Sequence, residues 1–310
     1  MRNLKIKILA PATIANMVCG FDVLGMAINN PQDEMEMQLN NTGKIIITHT
    51  DSYNLPTEPA KNVAGAALLA LQQQLPNKNI GFNVAIKKII KPGSGLGSSA
   101  ASSAGAVVGA NYLLKNIFNN NQLVEFAMHG ELVASGVKHA DNITPCIFGG
   151  VTLIRSNKPL DIIPLQAPPL FVTVVHPQIE IKTSDARQIL RKDVSLKNAI
   201  TQWGNVAGLV AGLLQNNYEL IGRSLNDVII EPVRSVLING FKQVKKNSMA
   251  CGALGGGISG SGPSIFMLSQ NIIIAQNIEK EMLEIYTKMD LQFNTYVTTI
   301  NNKGVAVVEL

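Results

Sequence analysis

The stretch that most constrains how this chain can fold is residues 91–103, which read KPGSGLGSSAASS. Gly93, Gly95 and Gly97 allow the backbone to take positive φ angles and to approach a ligand closely, because no Cβ stands in the way. These glycines follow a proline and precede a run of small residues. The spacing predicts a sharp turn followed by regular secondary structure. We interpret the turn as a binding loop for phosphate.

The residues after the loop support that interpretation. The run AASSAGAVVGANYLLK is rich in alanine and is predicted to form a helix, which Ser98 or Ser99 could cap. The free N–H groups at such a helix start, together with the helix dipole, favour an anion. The alternative is a glycine-rich turn before a tightly packed core helix, since the loop fits neither the GxxxxGK[ST] nor the GxGxxG pattern.

Composition excludes several classes of protein. A chain of 310 residues with 46% hydrophobic residues is long enough for two domains, and no apolar run is long enough to cross a membrane. The N-terminus lacks the pattern of a signal peptide, so we expect a cytoplasmic protein. Cys19, Cys146 and Cys251 form no CxxC pair, which indicates a reducing compartment and no zinc site. The net charge of +5 comes without a basic block, so we expect no nucleic-acid partner.

The order of helical and β-branched segments predicts an α+β fold. Strands are predicted at residues 4–9, 44–50, 82–90 and 294–300 and at LFVTVV, with helices at 62–74, 122–134 and through most of 183–247. The segment SNKPLDIIPLQAPP is rich in proline and has no periodicity. We therefore predict a domain boundary there, with an N-terminal domain of residues 1–160 and a C-terminal domain of residues 161–310.

Several polar residues lie among apolar neighbours. Asn16 and Asp22 stand in APATIANMVCGFDVLG, where they need hydrogen-bond partners or a ligand. Glu131 ends an otherwise apolar helical face, and a surface salt bridge would be its ordinary explanation. Asp141 and Asn142 follow His139 in KHADN; they could form a turn, or they could bind an ammonium and a hydroxyl.

Three glycine-bearing motifs carry a family resemblance when they are taken together. APATIANMVCGFDVLG, KPGSGLGSSAAS and GALGGGISGSGPSIFML resemble, in the right order, the three motifs of the superfamily that contains galactokinase, homoserine kinase, mevalonate kinase and phosphomevalonate kinase. GFDVLG and HADN with PCIFGG most resemble the homoserine kinases. The resemblance extends over essentially the whole chain.

The resemblance implies a fold and a reaction. The N-terminal domain would be like ribosomal protein S5 domain 2 and the C-terminal domain ferredoxin-like, with the substrates in the cleft between them. The γ-phosphate of ATP, with Mg²⁺, would pass to the side-chain hydroxyl of L-homoserine and give O-phospho-L-homoserine for threonine biosynthesis. The resemblance also implies a cytoplasmic homodimer.

The resemblance further assigns roles to residues. The nucleotide phosphates would be held by Lys91, Pro92, Gly93, Ser94, Gly95, Leu96, Gly97, Ser98, Ser99, Ala100 and Ala101. Asn62 would meet the adenosine part, and Glu131 with Ser98 or Ser99 would hold Mg²⁺. The residues around the amino acid would be Asn16, Asp22, Asp141, Asn142, Arg187 and Arg234. Carboxylates suit its ammonium, guanidiniums its carboxylate and the amide of Asn142 its hydroxyl.

Phosphoryl transfer depends on alignment and charge neutralisation more than on a base. Asp141 is the candidate base, but contact with an ammonium would lower its pKa, so we expect Ser98, Ser99, Glu131 and Asn142 to act by positioning. Two motif positions depart from the family, with MVCG in place of LGPG and Lys91-Pro92 in place of Pro-Leu. Two alternatives are a kinase of the superfamily with another hydroxy substrate and a nucleotide-binding relative without catalysis.

Overall fold

The fold is described from a computed structural model, over residues 4–181 and 183–310. The strands are β1 (Lys5–Ala15), β2 (Leu24–Asn40), β3 (Ile45–His49), β4 (Gly81–Lys87), β5 (Val151–Asn157), β6 (Leu160–Leu165), β7 (Phe171–Pro177), β8 (Gly255–Ile258), β9 (Ile265–Ser269), β10 (Phe293–Thr299) and β11 (Ala306–Glu309). The α-helices are α1 (Val63–Gln73), α2 (Ser98–Leu113), α3 (Asn120–Ser135), α4 (Ile143–Phe148), α5 (Thr183–Gln188), α6 (Leu196–Leu214), α7 (Tyr218–Ser224), α8 (Glu231–Arg234), α9 (Phe241–Ala250) and α10 (Ile272–Thr287).

The first sheet has seven strands in the order β11-β1-β2-β4-β3, with β5 paired to β2 and β6 to β5. Its inward residues, such as Ile6, Ile8 and Phe82, pack with α1, α2 and α3 in one core. The alanines of α2 are fully buried there, so this helix lies close against β1. Close packing by small side chains fixes the start of α2 relative to the sheet.

The second sheet has four antiparallel strands in the order β10-β7-β9-β8. Numbered within this domain the order is 4-1-3-2 with βαββαβ connectivity, the ferredoxin-like arrangement. The core beneath α9 and α10 contains Val175, Met267 and Tyr286, which are fully buried. The prediction of an α+β chain with a ferredoxin-like C-terminal part is confirmed.

The boundary between the domains is more complex than one cut in the sequence. Strand β6, formed by the proline-rich segment, pairs with β5 in the first sheet, and β11 returns from the C-terminal domain to pair with β1. By strand pairing the first sheet therefore extends to Leu165 and includes the last strand. A boundary at residue 160 remains a prediction.

The start of α2 differs from expectation. Its N-cap position is Gly97, with φ of 68°, and no side chain caps it, so the expectation that Ser98 or Ser99 caps the helix is wrong. Both serines are instead the first residues of the helix. Their hydroxyls are therefore available for other contacts, while the first N–H groups of α2 stay open towards a ligand.

Candidate functional site

A cleft of about 510 Å³ runs between the two domains and is lined by most of the predicted site residues, but not by Lys91, Leu96, Ala100 or Ala101. His49, Asn62, Leu55 and Pro56 line one end, and the glycine loop lines the middle. Asn16, Asp22, Asp141, Asn142, Arg187 and Arg234 line the other end. One elongated cavity with a helix N-terminus at its centre can hold two substrates end to end.

The glycine loop is built as the sequence indicates. Gly93, Gly95 and Gly97 all have positive φ, between 68° and 78°. A Cβ on Gly97 would lie 1.9 Å from Thr13 Oγ1, and one on Gly95 would lie 2.6 Å from the carbonyl oxygen of Ser259. These glycines therefore also allow the first and third motifs to pack against the loop. A valine at Gly97 would disturb this packing, so it is not a clean test of phosphate binding.

Serine hydroxyl groups form hydrogen bonds with backbone carbonyls in and next to the loop. Ser98 Oγ donates to the carbonyl of Ile90 at 2.7 Å. From the third motif, Ser264 Oγ donates to Ser94 O at 2.7 Å and Ser259 Oγ donates to Gly95 O at 2.7 Å. Because the Ser98 hydroxyl already has this partner, Ser99 is the better candidate of the two serines for a ligand of Mg²⁺.

A buried ion pair beneath the loop was missed in the sequence. Lys88 Nζ donates to Asp33 and also contacts Ser98 O at 2.7 Å and Ser102 Oγ at 2.9 Å. Asp33 Oδ1 accepts the backbone N–H groups of residues 89 and 90, each at 2.8 Å. Both charges are fully paired, which a buried pair requires. Neither charge stood out in the sequence, because Asp33 lies beside Glu34 and Lys88 beside Lys87.

Glu131 faces the cleft from α3 and makes no surface salt bridge. It is only 7% exposed, and its Oε1 has no hydrogen-bond partner. Burial raises the pKa of Glu131, while a hydrogen bond from Ser99 lowers it. An orphaned carboxylate oxygen beside a hydroxyl is costly unless a cation or a donor arrives. Of the expected roles, a metal ligand fits this environment.

At the far end of the cleft, Asp22 and Arg187 form an ion pair in which the one nitrogen Arg187 Nη2 lies 2.8 Å from both carboxylate oxygens, while the buried Arg187 Nε has no hydrogen-bond partner within the described residues. Asn16 supports it, because Asn16 Oδ1 accepts the N–H of Asp22 at 3.0 Å and Asn16 Nδ2 donates to Gly260 O at 3.0 Å. Asn16 and Asp22 have φ of 72° and 60°. Residues held in the left-handed region at a cleft store strain that the surroundings must support.

Arg234 lies beneath this pair, 3% exposed. Its Nε donates to Ala186 O at 2.9 Å and its Nη1 to Gly260 O at 3.2 Å. Burial, together with nearby Arg187, lowers the pKa of Arg234 to about 10, so it remains a cation at neutral pH. The ring of Phe21 lies between the two guanidiniums, 5.3 Å from Arg187 Cζ and 5.0 Å from Arg234 Cζ. The ring keeps two cations close together without direct repulsive contact.

Asp141 and Asn142 enter the cleft just before α4, a helix that was not expected. Burial, followed by the charges of Asp22 and Glu131, raises the pKa of Asp141 to about 7. The side-chain oxygen of Asn142 accepts a hydrogen bond from Thr13 Oγ1 at 2.8 Å, which orients its amide. Asp141 therefore carries a charge that is poorly compensated until a cation lies beside it.

His139 is a further cleft residue to which sequence reasoning assigned no role. Its Nδ1 lies 3.8 Å from Asp22 Oδ1, and its buried Nε2 has no hydrogen-bond partner. Burial lowers the pKa of His139, and Arg187 and Arg234 lower it further, whereas Asp22 raises it. Its position directly before the predicted Asp141–Asn142 pair was the signal that could have identified it.

Asn62, at the opposite end, precedes α1 as its N-cap, with Oδ1 accepting the N–H of Gly65 at 3.1 Å. Its Nδ2 donates to Pro56 O at 2.6 Å and lies 3.2 Å from His49 Nε2. The His49 Nδ1 in turn lies 3.6 Å from Asp51 Oδ2. A polar amide and a histidine beside the apolar Leu55 and Pro56 suit a flat heterocyclic base.

Comparison with known proteins agrees with this arrangement. Residues 62–150 match the family described as GHMP kinases N terminal domain, and residues 209–287 match GHMP kinases C terminal. The chain belongs to the GHMP kinase family. Within this family it resembles homoserine kinases, as the motifs predicted: the homoserine kinase of Chloroherpeton thalassium is 44% identical, covering 95% of this chain and 97% of that protein.

Solved structures of GHMP kinases agree. The crystal structure of homoserine kinase from Cytophaga hutchinsonii is 46% identical and superposes with a TM-score of 0.94 over 99% of this chain and 98% of that chain. A structure of a putative homoserine kinase from Listeria monocytogenes has a TM-score of 0.73 at 20% identity, over 98% of this chain and 99% of that chain, which shows the fold alone. Within the described residues, no helix has the length and apolar character needed to span a membrane.

Proposed function

We propose that this GHMP kinase transfers the γ-phosphate of ATP to the side-chain hydroxyl of L-homoserine, as part of threonine biosynthesis. The observation that carries the proposal is the pairing of charges at one end of the cleft: Asp22 and Asp141 beside Arg187 and Arg234. An α-amino acid brings both an ammonium and a carboxylate, so it satisfies both signs. An alcohol without an amine would leave the buried Asp141 carboxylate unpaired, since Asp22 already has Arg187 as a partner.

The middle of the cleft is assigned to the nucleotide phosphates. The loop of residues 91–97 presents backbone N–H groups, and α2 begins at its end. The helix dipole and the open N–H groups favour the phosphates at this point. We assign the nucleoside to the Asn62 end and the amino acid to the Asp22 end, where the charged side chains lie. The assignment of these residues as binding residues stays a proposal.

Ser99 and Glu131 fit Mg²⁺, because Mg²⁺ takes oxygen ligands and the Glu131 Oε1 is buried without a partner. The described residues contain no group of three or more His, Cys, Asp or Glu side chains able to hold a metal ion. Such a sparse set suits an ion that completes its shell with phosphate oxygens and waters. When bound, Mg²⁺ neutralises charge that develops on the phosphates.

The chain's own residues then act by positioning. Arg187 and Arg234 bind the carboxylate, Asp22 and Asp141 bind the ammonium, and the oriented amide of Asn142 directs the hydroxyl. The pKa of Asp141, raised by burial to about 7, would suit a base in the free enzyme. The arriving ammonium lowers that pKa again, so we assign Asp141 to binding and the hydroxyl proton to no dedicated side chain.

A coupled assay of ATP consumption with homoserine, threonine, serine and mevalonate tests the proposal. We expect homoserine to be turned over far ahead of the others. Efficient phosphorylation of mevalonate would show that the enzyme is a kinase for another hydroxy substrate. Tight ATP binding without turnover would indicate a nucleotide-binding protein without catalysis. The family resemblance also supports a cytoplasmic homodimer, which analytical ultracentrifugation would test.

A further inference from the structure

The nucleoside end of the cleft contains a chain of side chains that the reaction itself does not use. Asp51 lies behind His49, and His49 lies beside Asn62 at the wall of the cleft. The His49 and Asp51 side chains are 8% and 6% exposed. Both His49 and Asn62 line the cleft. Three polar groups that are this well buried, and joined in one line, need a purpose beyond packing.

The orientation of the Asn62 amide follows from its neighbours. Oδ1 faces the N–H of Gly65, a donor, at 3.1 Å, and Nδ2 faces Pro56 O, an acceptor, at 2.6 Å. A flipped amide would place oxygen against oxygen and N–H against N–H, so the assignment is chemically fixed.

The His49 tautomer follows in turn. Since Nδ2 of Asn62 is a donor only, the His49 Nε2 at 3.2 Å must accept, and the His49 proton lies on Nδ1. Nδ1 faces Asp51 Oδ2 at 3.6 Å, an electrostatic contact and not a hydrogen bond, and it has no other partner among the described residues. Burial raises the pKa of Asp51, but hydrogen bonds from the N–H groups of Lys88 and Tyr53, together with nearby His49, lower it overall. Asp51 is therefore ionised at neutral pH. A carboxylate behind a histidine fixes both ring orientation and tautomer.

Together these contacts consume both N–H groups of Asn62. Towards the cleft the amide can offer only the second lone pair of Oδ1. The Asn62 side chain therefore offers a hydrogen-bond acceptor to the cleft and no N–H donor. Adenine presents an exocyclic amino group at position 6, whereas guanine presents a carbonyl oxygen there. An acceptor facing that oxygen would be repelled and left unpaired.

We propose that Asp51 and His49 are positioning residues that hold the Asn62 amide as a hydrogen-bond acceptor, and that this selects a base carrying an amino group, adenine rather than guanine. The inference rests on the proposed function for placing the nucleoside at this end. Without the His49 acceptor, the second Asn62 N–H is released and the selectivity relaxes.

The test compares His49→Phe, which keeps the ring but removes the acceptor, with His49→Gln, whose side-chain oxygen can still accept. The control is His129→Phe, a histidine on α3 whose ring contacts Lys138 at 3.1 Å and which does not line the cleft. ADP and GDP binding is measured by calorimetry, and KM for ATP, GTP and homoserine by turnover. Calorimetry needs no turnover, so failure of the proposed kinase reaction would be seen separately, as wild-type protein that binds ADP without phosphorylating homoserine.

Loss of one charge-free hydrogen bond predicts an ADP-over-GDP preference about tenfold smaller in His49→Phe, with KM for homoserine unchanged. His49→Gln should retain most of the preference, and His129→Phe all of it. Asp51→Asn offers a second variant should the phenylalanine disturb folding, as judged by melting temperature, and it should weaken the preference in the same direction. An unchanged ADP-to-GDP ratio in folded His49→Phe or Asp51→Asn overturns the proposal.

Discussion

The two ends of the cleft differ in how far their buried polar groups are paired within the protein. Beneath the phosphate loop the buried polar groups have partners within the protein, as Lys88 with Asp33 and Ser98 with Ile90 show. At the nucleoside end the Asn62 amide is paired as well, although His49 Nδ1 has no hydrogen-bond partner in the described part of the chain. At the amino-acid end and beside it, Glu131 and His139 each keep a buried atom without a partner, and the pKa of Asp141 is raised by burial to about 7. The buried charges beneath the phosphate loop are paired before a ligand arrives. We expect the charges at the amino-acid end to gain their missing partners from the substrate. The difference indicates that selectivity for the acceptor comes from uncompensated charge.

The largest expected effect comes from removing the substrate's ammonium. 4-Hydroxybutyrate has the carboxylate and hydroxyl of homoserine but no amine, so the buried Asp141 would stay uncompensated, whereas Asp22 keeps Arg187 as its partner. We expect kcat/KM for it to be lower by roughly 10⁴-fold, because sites built for a polar group reject an analogue that lacks it. Steady-state assays with both compounds measure this ratio. Comparable efficiency would show that the unpaired charges at this end do not select the acceptor.

Glu131→Gln tests the orphaned carboxylate between the two ends. Loss of a charged magnesium ligand costs several kcal/mol in the transition state, so we expect kcat to fall about 10²- to 10³-fold. Ser99→Ala should lower kcat in the same direction. Ser98→Ala should mainly lower the melting temperature, because the Ser98 hydroxyl bonds to Ile90 O. Turnover of Glu131→Gln near the wild-type rate at ordinary Mg²⁺ would remove the metal assignment.

The raised pKa of Asp141 predicts that the KM for homoserine depends on pH, whereas the KM for ATP does not. Burial, Asp22 and Glu131 raise its pKa to about 7, and the ammonium of homoserine binds the ionised form. KM for homoserine should therefore rise up to about tenfold per unit as pH falls below 7, while KM for ATP changes little. Asp141→Asn should have a high KM that no longer depends on pH in this range. A fall in kcat of this variant at unchanged KM would indicate a general base.

The smallest effect concerns stability. A carboxyl group whose pKa is raised on folding binds more protons when folded, so stability falls as pH rises from the unfolded pKa, 3.8 for Asp141, to the folded value of about 7. Asp141→Asn and Glu131→Gln should thus melt several degrees above wild type at pH 8, since each kcal/mol corresponds to roughly 2–4 °C. The difference should shrink towards pH 5. Calorimetric melts of ligand-free protein measure it, and lower melting temperatures at pH 8 would contradict the idea of uncompensated charge.

The sequence predicted what local pattern and motif determine. Glycine spacing predicted the loop, and β-branched runs predicted β3, β4 and β7 close to their observed bounds. Residues of the three motifs lie far apart in the chain and line one cleft, as the resemblance implied. The alternating Met35 and Met37, buried between outward glutamates, could have revealed β2, which was overlooked.

Other features depend on partners distant in the chain. Strand β8 reads GGGI and has no strand propensity of its own, so it forms only because β9 pairs with it. The Lys88–Asp33 pair depends on the register of β2 against β4. The neutral His49 tautomer depends on Asp51 and Asn62 lying on either side of the ring. No local pattern encodes such contacts.

The return of β11 to β1 means that the polypeptide crosses between the domains twice, once after β6 and once after β10. A single connection would let one domain swivel on the other, but two parallel connections leave mainly a hinge-like opening of the cleft. Asn29 adds to this constraint, because its amide bonds Thr299 Oγ1 at 2.8 Å beside the second crossing. Rotation of one domain about either connection would strain the other connection, which restricts the motions by which the cleft can open.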